Sequence, residues 1–394
     1  MKNKDMNDYN KMFSNIVVPE ILFVDNENVN GVSILNAIKE KNKNKVTLLK
    51  LLEDSSIFPL NFDGKCVIFD KYKHECIKNS VGSHSISCGQ NLEPISDKNK
   101  KVYQIHGADS YYGQAKNKGQ SFHETPISRA SVFLGFCCKH EALFSNIDHG
   151  INVLNDDDIY WAYYRELIFY FMKLKNNIVR AKYLYKLLDK LKLCENINKD
   201  EYEEIDNISH GFYYECVIEN RRKNECFKIL KILEDNVDEN KKVKEGLLYI
   251  RHFEYEGTLP FTFSGLFNIN LENIDDNKNA FYITATTSMN KTSLITLSCF
   301  AENNEAIKQI DNITSQPNVL NTVFKLSFSM ENCYYNIEYI NMDKKNKERI
   351  KDYFNKDTFL RFNAPYSKEY IEHFNNILKP FDFININNKL IKSY

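Results

Sequence analysis

With 394 residues, of which 43% are apolar and 27% charged, the chain can bury a sizeable core and has the composition of a folded protein. Its net charge of −1 at pH 7 excludes the global basic field that gives non-specific binding to nucleic acid, although a local basic face stays possible. No run reaches the ~18 uninterrupted apolar residues of a membrane span, so we expect no membrane association.

The cysteines and the N-terminus bear on the cellular compartment. The N-terminus, MKNKDMNDYNKMF, lacks the apolar run of a secretion signal. Ten cysteines without such a signal favour a reducing compartment, in which they serve as thiols or metal ligands rather than as disulfides. We therefore predict a cytoplasmic protein.

Four segments follow one another along the chain, and together they predict an α+β fold. Residues 1–60 are a mixed lead-in, with a strand at 20–27 and short helices at 31–41 and 45–54. Residues 61–150 are rich in Gly, Ser, His and Cys and predict a small zinc-binding module. Residues 151–240, almost without Gly and Pro, predict antiparallel helices. Residues 241–394 predict an α/β C-terminal domain with an antiparallel sheet.

Finer expectations concern the C-terminal half and one loop. Alternating Thr-, Phe- and Tyr-rich runs at 247–257, 261–272, 280–289 and 292–302 predict strands. Helices are expected at 303–313 and 344–354. The Gly-rich, polar stretch 106–124 predicts a loop or hairpin tip near the metal module.

The Cys and His residues are concentrated between positions 66 and 140, which hold half of the ten cysteines and five of the nine histidines. Structural zinc takes four Cys or His ligands in a tetrahedron, usually as two close pairs. Cys137 and His140 are the clearest pair, because a C-x-x-H spacing at the start of a helix lets both side chains meet one ion. Cys66 and Cys76 form the looser second pair.

Other interpretations of this cluster stay open at the level of sequence. The loop between Cys66 and Cys76 has to close back on itself, and His74 or Cys138 can replace a neighbouring ligand. A buried cysteine is also often only a small hydrophobic residue. For the four residues together, a structural zinc site is the favoured interpretation.

The order of these residues resembles that of HNH (ββα-metal) nucleases in their zinc-containing form. The shared order is Cys…Cys, then the strand-like GSHSIS ending its strand in His84, then Cys-x-x-His opening a helix. The resemblance implies that His84 is the general base and that Glu141, just after the last zinc ligand, holds a catalytic Mg²⁺ or Mn²⁺. Ser83 stands where the family usually carries Asp, His or Glu.

That departure affects two further candidates. Serine is a poor Mg²⁺ ligand, since hard cations favour carboxylate and water oxygens. Asp148, seven residues after Glu141 on the same predicted helix face, can supply the missing charge or be an ordinary helix-end acid. Arg129 is predicted to contact a substrate phosphate, with a solvent-facing arginine as the alternative. His84 can equally be a zinc ligand or a hydrogen-bonded strut.

A broader resemblance links residues 66–340 to a group of uncharacterised bacterial proteins with AHSIQ-like and GFCxxHD-like motifs. Its landmarks here include SHSIS, GFCCKHE and SMENCYY, and no role is assigned to Glu331 or Asn332 of the last one. Two functions are predicted. The first is a metal-dependent endonuclease that hydrolyses phosphodiester bonds, in a setting of bacterial defence. The alternative is a non-catalytic, zinc-stabilised interaction protein that binds nucleic acid or a protein partner.

Overall fold

The structure is a computed structural model that describes residues 65–77, 79–106, 121–148, 155–192, 199–268, 280–287, 292–327, 332–341, 348 and 388–393. Helices and antiparallel sheets make up the fold, which confirms the α+β class. The strand and two helices predicted in the lead-in lie outside the described residues. So does the helix predicted at 344–354, apart from Glu348.

The chain forms two compact units. Among the described residues, the first consists of 170–192 and 199–228, and the second of all the others. The second unit therefore contains both the Cys/His-rich segment and the C-terminal sheet. The boundaries of the four sequence segments stay a prediction.

A two-stranded sheet and a short helix form the Cys/His-rich segment. Strand β1 (Gly82–His84) pairs antiparallel with β4 (Val132–Leu134), which places Ser83 opposite Phe133. Helix α1 (Cys138–Glu141) follows β4, and a 3₁₀ turn joins it to α2 (Ser145–Asp148). The helix expected to carry both Glu141 and Asp148 is broken between these residues.

A hairpin interrupts this segment between β1 and β4. Strands β2 (Lys101–His106) and β3 (Ser121–Pro126) pair antiparallel along their whole length. The connection between them lies outside the described residues. The polar stretch predicted as a loop or hairpin tip therefore begins and ends in paired strands.

Two long helices follow, α3 (Asp156–Leu191) and α4 (Lys199–Asp235). Asn155 and Asp158 cap the start of α3 reciprocally, because each side chain accepts a hydrogen bond from the other's backbone N–H. Within the first unit, Cys216 donates to the Ile178 carbonyl and Lys192 pairs with Asp206, so the two helices run antiparallel there. The described helices include none that is long and apolar enough to cross a membrane.

An eight-stranded antiparallel sheet completes the second unit, in the order β10-β5-β8-β7-β6-β9-β2-β3. The new strands are β5 (Leu248–Glu256), β6 (Phe261–Asn268), β7 (Ala280–Thr287), β8 (Thr292–Phe300), β9 (Cys333–Tyr335) and β10 (Leu390–Ser393). Strands β5 to β8 lie where alternation predicts them. Helices α5 (Asn304–Thr314), α6 (Val319–Ser327) and α7 (Ile337–Asn341) accompany the sheet.

The two faces of this sheet have different partners. One face contributes Phe261, Phe263 and Leu297 to an apolar core that also contains Phe324 of α6. Because strand residues alternate between faces, Val102 of β2 and Tyr334 of β9 lie on the opposite side. There they pack with residues that follow β1, namely Ile86, Leu92 and Ile95. The chain from β1 to Ile95 therefore packs on this face of the sheet.

Candidate metal centre and adjacent polar cluster

Cys66, Cys76, Cys137 and His140 converge in the second unit, as the sequence predicts. Their potential ligand atoms all lie within 4.8 Å of one another. The imidazole Nδ1 of His140 lies 3.5 Å from Cys66 Sγ, 3.6 Å from Cys76 Sγ and 3.3 Å from Cys137 Sγ. A tetrahedral site with Zn–S and Zn–N bonds of ordinary length places sulfur and nitrogen roughly 3.5 Å apart. These four side chains can therefore hold a metal ion such as zinc, with Nδ1 as the histidine ligand.

The electrostatics of the cluster also favour a cation. Cys66, Cys137 and His140 are buried, and burial raises the pKa of the Cys66 thiol to about 12. Burial also lowers the pKa of His140, so the imidazole is neutral and able to act as a ligand. A bound cation would stabilise the thiolates that burial otherwise disfavours.

The backbone around the cluster explains how distant residues meet. Val67 donates to the Gly135 carbonyl and Val81 to the Phe136 carbonyl, each at 2.8 Å. The chain on either side of the Cys66–Cys76 loop is therefore bonded to the segment that leads into Cys137. A Cβ at Gly135 would lie 2.2 Å from the buried Phe133 ring, so a side chain at that position would force the ring to move. Glycine thus lets the chain turn tightly from β4 into Cys137.

The loop between Cys66 and Cys76 closes because it is hydrogen-bonded to the chain at the end of α4. Residues Asp70–Glu75 form a 3₁₀ turn. From this turn, Lys71 donates to the Val237 carbonyl at 2.6 Å and Tyr72 donates to the Asp238 carbonyl. A lysine at a helix C-terminus complements the negative end of the helix dipole. The turn brings Cys76 back toward Cys66, which the sequence spacing alone does not establish.

Glu75 binds two lysines beside the cluster. Its carboxylate lies 3.0 Å from Lys139 and 3.1 Å from Lys241, and hydrogen bonds from these lysines lower its pKa to about 2.

The alternative ligands face solvent, since His74 and Cys138 are both exposed. Cys76 and Cys137, rather than His74 and Cys138, are thus the residues that converge with Cys66 and His140.

A polar cluster lies directly next to this centre, and it contains His84 and Glu141. Ser83 Oγ donates to Glu141 Oε2 at 2.6 Å, which links β1 to α1. Burial raises the pKa of Glu141, while the hydrogen bond from Ser83 and the charge of Arg165 act in the opposite direction. The residue that departs from the nuclease pattern therefore holds the predicted metal ligand in place.

His84 is half-buried and is oriented by the turn before β4. Its Nδ1 lies 3.0 Å from the Ala130 carbonyl oxygen, which can only accept, so Nδ1 carries a proton and Nε2 has a free lone pair. Burial lowers the pKa of His84, which keeps the ring neutral at pH 7. His84 does not contribute to the metal cluster, so the zinc-ligand alternative is not supported.

Asp148 is held by a buried arginine. Both of its carboxylate oxygens accept from Arg165 Nη1, at 2.9 and 3.0 Å, and the Arg165 side chain is only 2% exposed. The guanidinium also lies 4.8 Å from the Phe144 ring centre. Charges on Asp148 and Arg165 influence both His84 and Glu141, so all four belong to one electrostatic cluster.

Arg129 is exposed, in the turn between β3 and β4. It directly precedes Ala130, the residue whose carbonyl orients His84. Its side chain is therefore close along the chain to the candidate base and open to solvent.

Sequence reasoning missed three polar residues behind the cluster. Ser85, Ser131 and Asn332 are buried, and Asn332 Nδ2 donates to Ser85 Oγ at 2.7 Å and to Glu166 Oε2 at 3.2 Å. Ser131 has a positive φ of 59°, and its backbone N–H donates to the Tyr334 hydroxyl. Alternation along SHSIS was the available signal, because it places Ser83, Ser85 and Ser87 together on a buried side.

Replacing Asp148 with asparagine is expected to destabilise the fold by about 2–4 kcal/mol, because the buried Arg165 charge would lose its partner. Urea unfolding of Asp148→Asn against wild type measures this. Asp70→Asn is a matched control, since Asp70 pairs with a lysine at an exposed surface, where such pairs contribute about 0–1 kcal/mol. Equal effects of the two changes would contradict the assignment of Asp148 to a buried ion pair.

Comparison with known proteins identifies no relative. No family model matches the chain, and neither the curated proteins nor the solved structures contain a significant match.

Proposed function

We propose that this chain is a metal-dependent endonuclease that hydrolyses phosphodiester bonds in nucleic acid. The observation that carries the proposal is the link between the two clusters. Glu141 directly follows the ligand His140, and its carboxylate accepts a hydrogen bond from Ser83, the neighbour of His84. One short connection thus joins a candidate zinc ligand, a carboxylate and a neutral histidine.

His84 has the properties of a general base. Because Nδ1 donates to Ala130, the lone pair of Nε2 can accept a proton from a water molecule. That water attacks phosphorus, and the P–O bond to the leaving oxygen breaks. A neutral ring is required for this step, and burial favours the neutral form.

Two metals fit the residues, in different roles. Zinc would be held by Cys66, Cys76, Cys137 and His140 and would stabilise the module. Mg²⁺ or Mn²⁺ would be held by Glu141, since such ions take one or two carboxylates together with water and substrate phosphate. When bound there, the ion supplies charge stabilisation to the phosphate in the transition state.

Substrate contact is assigned to Arg129. The exposed guanidinium adjoins the turn that orients His84, so a phosphate at this turn would be near the base. A cytoplasmic location is part of the proposal and is supported by the described cysteines, all of which are free thiols. The setting in bacterial defence rests on the resemblance alone.

Cleavage of plasmid, linear DNA and RNA by the purified protein tests the proposal. We expect cleavage in Mg²⁺ or Mn²⁺, none in EDTA, and about one zinc per chain by metal analysis. Glu141→Gln is expected to abolish cleavage, since the amide keeps an acceptor for Ser83 but loses the charge that binds the cation. Full zinc content without cleavage of any substrate in either metal would refute the nuclease.

One observation favours the alternative, a non-catalytic interaction protein stabilised by zinc. Both Asp148 oxygens accept from Arg165 and Glu141 accepts from Ser83, so the hydrogen bonds of the polar cluster are made internally. A structural core has this property. In that case the protein would bind nucleic acid or a protein partner with the same affinity before and after Glu141→Gln.

A further inference from the structure

Strand β9 and the residues that flank it, Asn332 and Asn336, present a row of polar side chains to the Cys/His-rich segment. Asn332, Tyr334 and Asn336 alternate along the chain and therefore share one face of the sheet. Asn332 Nδ2 donates to Ser85 Oγ at 2.7 Å, and the Tyr334 hydroxyl accepts from Ser131 N at 2.6 Å. Asn336 Nδ2 donates to the Ile95 carbonyl at 3.1 Å. Strand β9 and its two flanking residues thus hydrogen-bond three points of the Cys/His-rich segment.

Asn332 differs from the other two in what it contacts. Its amide nitrogen bridges Ser85, which directly follows His84, and Glu166 of helix α3. All three residues are buried, so water cannot easily replace these hydrogen bonds. Asn332 therefore ties the Ser85 side chain to the sheet and to helix α3, in addition to the hydrogen bonds that Ser85 makes to Ser131.

We propose that Asn332 is a positioning residue for His84. It fixes Ser85, and thereby the end of β1, against the sheet and helix α3, so that the His84 ring stays aligned between the Ala130 carbonyl and the reacting water. The assignment rests on the proposed nuclease function. It adds that the C-terminal sheet is required for the reaction as well as for the fold.

Geometry gives the expected size of the effect. A catalytic group displaced by ~1 Å can lose ~100-fold in rate. Asn332→Ala removes both hydrogen bonds of the amide and leaves Ser85 held only through Ser131, so this end of β1 can shift relative to helix α3 and the sheet. We expect kcat to fall by ~10- to 100-fold with KM changed less than about threefold, because no substrate-contacting group is altered.

The test combines kinetics with hydrogen exchange of the zinc-loaded, full-length protein. Asn332→Ala should speed exchange at residues 82–87, whose amides include Ser85 N bonded to the Ser131 carbonyl, and leave residues 137–141 and the zinc content unchanged. Ser85→Ala should lower kcat similarly. The double variant should be no slower than Asn332→Ala, since each single change already removes the hydrogen bond between Asn332 and Ser85.

Asn336→Ala is the matched control. It removes a hydrogen bond made at the other end of β9, and also the hydrogen bond that Tyr339 N donates to the Asn336 side chain, yet it leaves β1 untouched. It should lower stability without lowering kcat.

Wild-type kcat and exchange in Asn332→Ala would overturn the proposal, as would a loss of kcat with faster exchange everywhere and loss of zinc. If wild type cleaves nothing, the nuclease function fails, and His84 then has no reaction for Asn332 to position. Faster exchange confined to 82–87 would in that case show a structural link only.

Discussion

Replacement of Cys137 with serine is expected to release the metal and to lower the melting temperature by at least about 10 °C. Structural zinc contributes on the order of 10 kcal/mol to small zinc domains, and each kcal/mol shifts the melting temperature of a medium-sized domain by about 2–4 °C. Cys137 is fully buried 3.3 Å from His140 Nδ1, so a serine hydroxyl there would be a weak ligand at one vertex of the tetrahedron. Metal analysis and thermal unfolding measure the two effects.

The neighbouring cysteine provides a matched control. Cys138 has the same chemistry one position away but is exposed and outside the ligand set. Cys138→Ser should keep about one zinc per chain and the wild-type melting temperature. Zinc lost from Cys138→Ser and retained in Cys137→Ser would show that the ligands had been assigned wrongly.

Replacement of His84 with alanine is expected to reduce cleavage by at least ~100-fold, because general-base catalysis typically contributes ~100- to 10,000-fold. Zinc content should stay at the wild-type level, since His84 lies outside the Cys/His cluster. The rate of phosphodiester cleavage under saturating substrate measures the change. His123→Ala, an exposed histidine of β3, should cleave as wild type does.

The pH dependence of cleavage distinguishes a general base at His84 from a His84 that is only a hydrogen-bonded structural residue. Cleavage requires neutral His84, and burial lowers its pKa below the usual value of about 6.5. As pH falls, kcat should therefore stay high through pH 6.5 and decline only at more acidic pH, where the ring becomes protonated. A rate that declines with a midpoint above 6.5, or zinc that is lost in His84→Ala, would contradict the role of base.

The sequence predicted what depends on local pattern. Strands β5 to β8 show period-two alternation, and the C-x-x-H spacing of Cys137 and His140 is short enough to be recognised. Strand β9 has only three residues, all buried, and alternation cannot be read from so short a run. The assignment of β2 and β3 to the C-terminal sheet depends on pairing with β9, far along the chain.

What the sequence left open depends on long-range contacts. Closure of the loop between Cys66 and Cys76 requires the end of α4, to which Lys71 binds across 166 positions. The sequence predicted Asp148 as a candidate metal ligand because its partner Arg165 lies on another helix, and a pair between two helices cannot be recognised from local spacing. Asn332 carried no signal at all, since its partner Ser85 is 247 positions away.

The late position of Asn332 in the chain also sets the order in which the two clusters can form during synthesis. All four metal ligands and the end of α4 that closes the Cys66–Cys76 loop have been translated once Asp238 is made, whereas Asn332 follows 94 residues later (332 minus 238), which takes about 5–20 s at typical elongation rates of about 5–20 residues per second. A nascent chain can therefore bind zinc well before β9 exists to hold the strand that carries His84. Under the proposed function, a product that ends before residue 332 would bind metal but lack the Asn332 contact that positions His84, so cleavage activity would arise only when translation is almost complete.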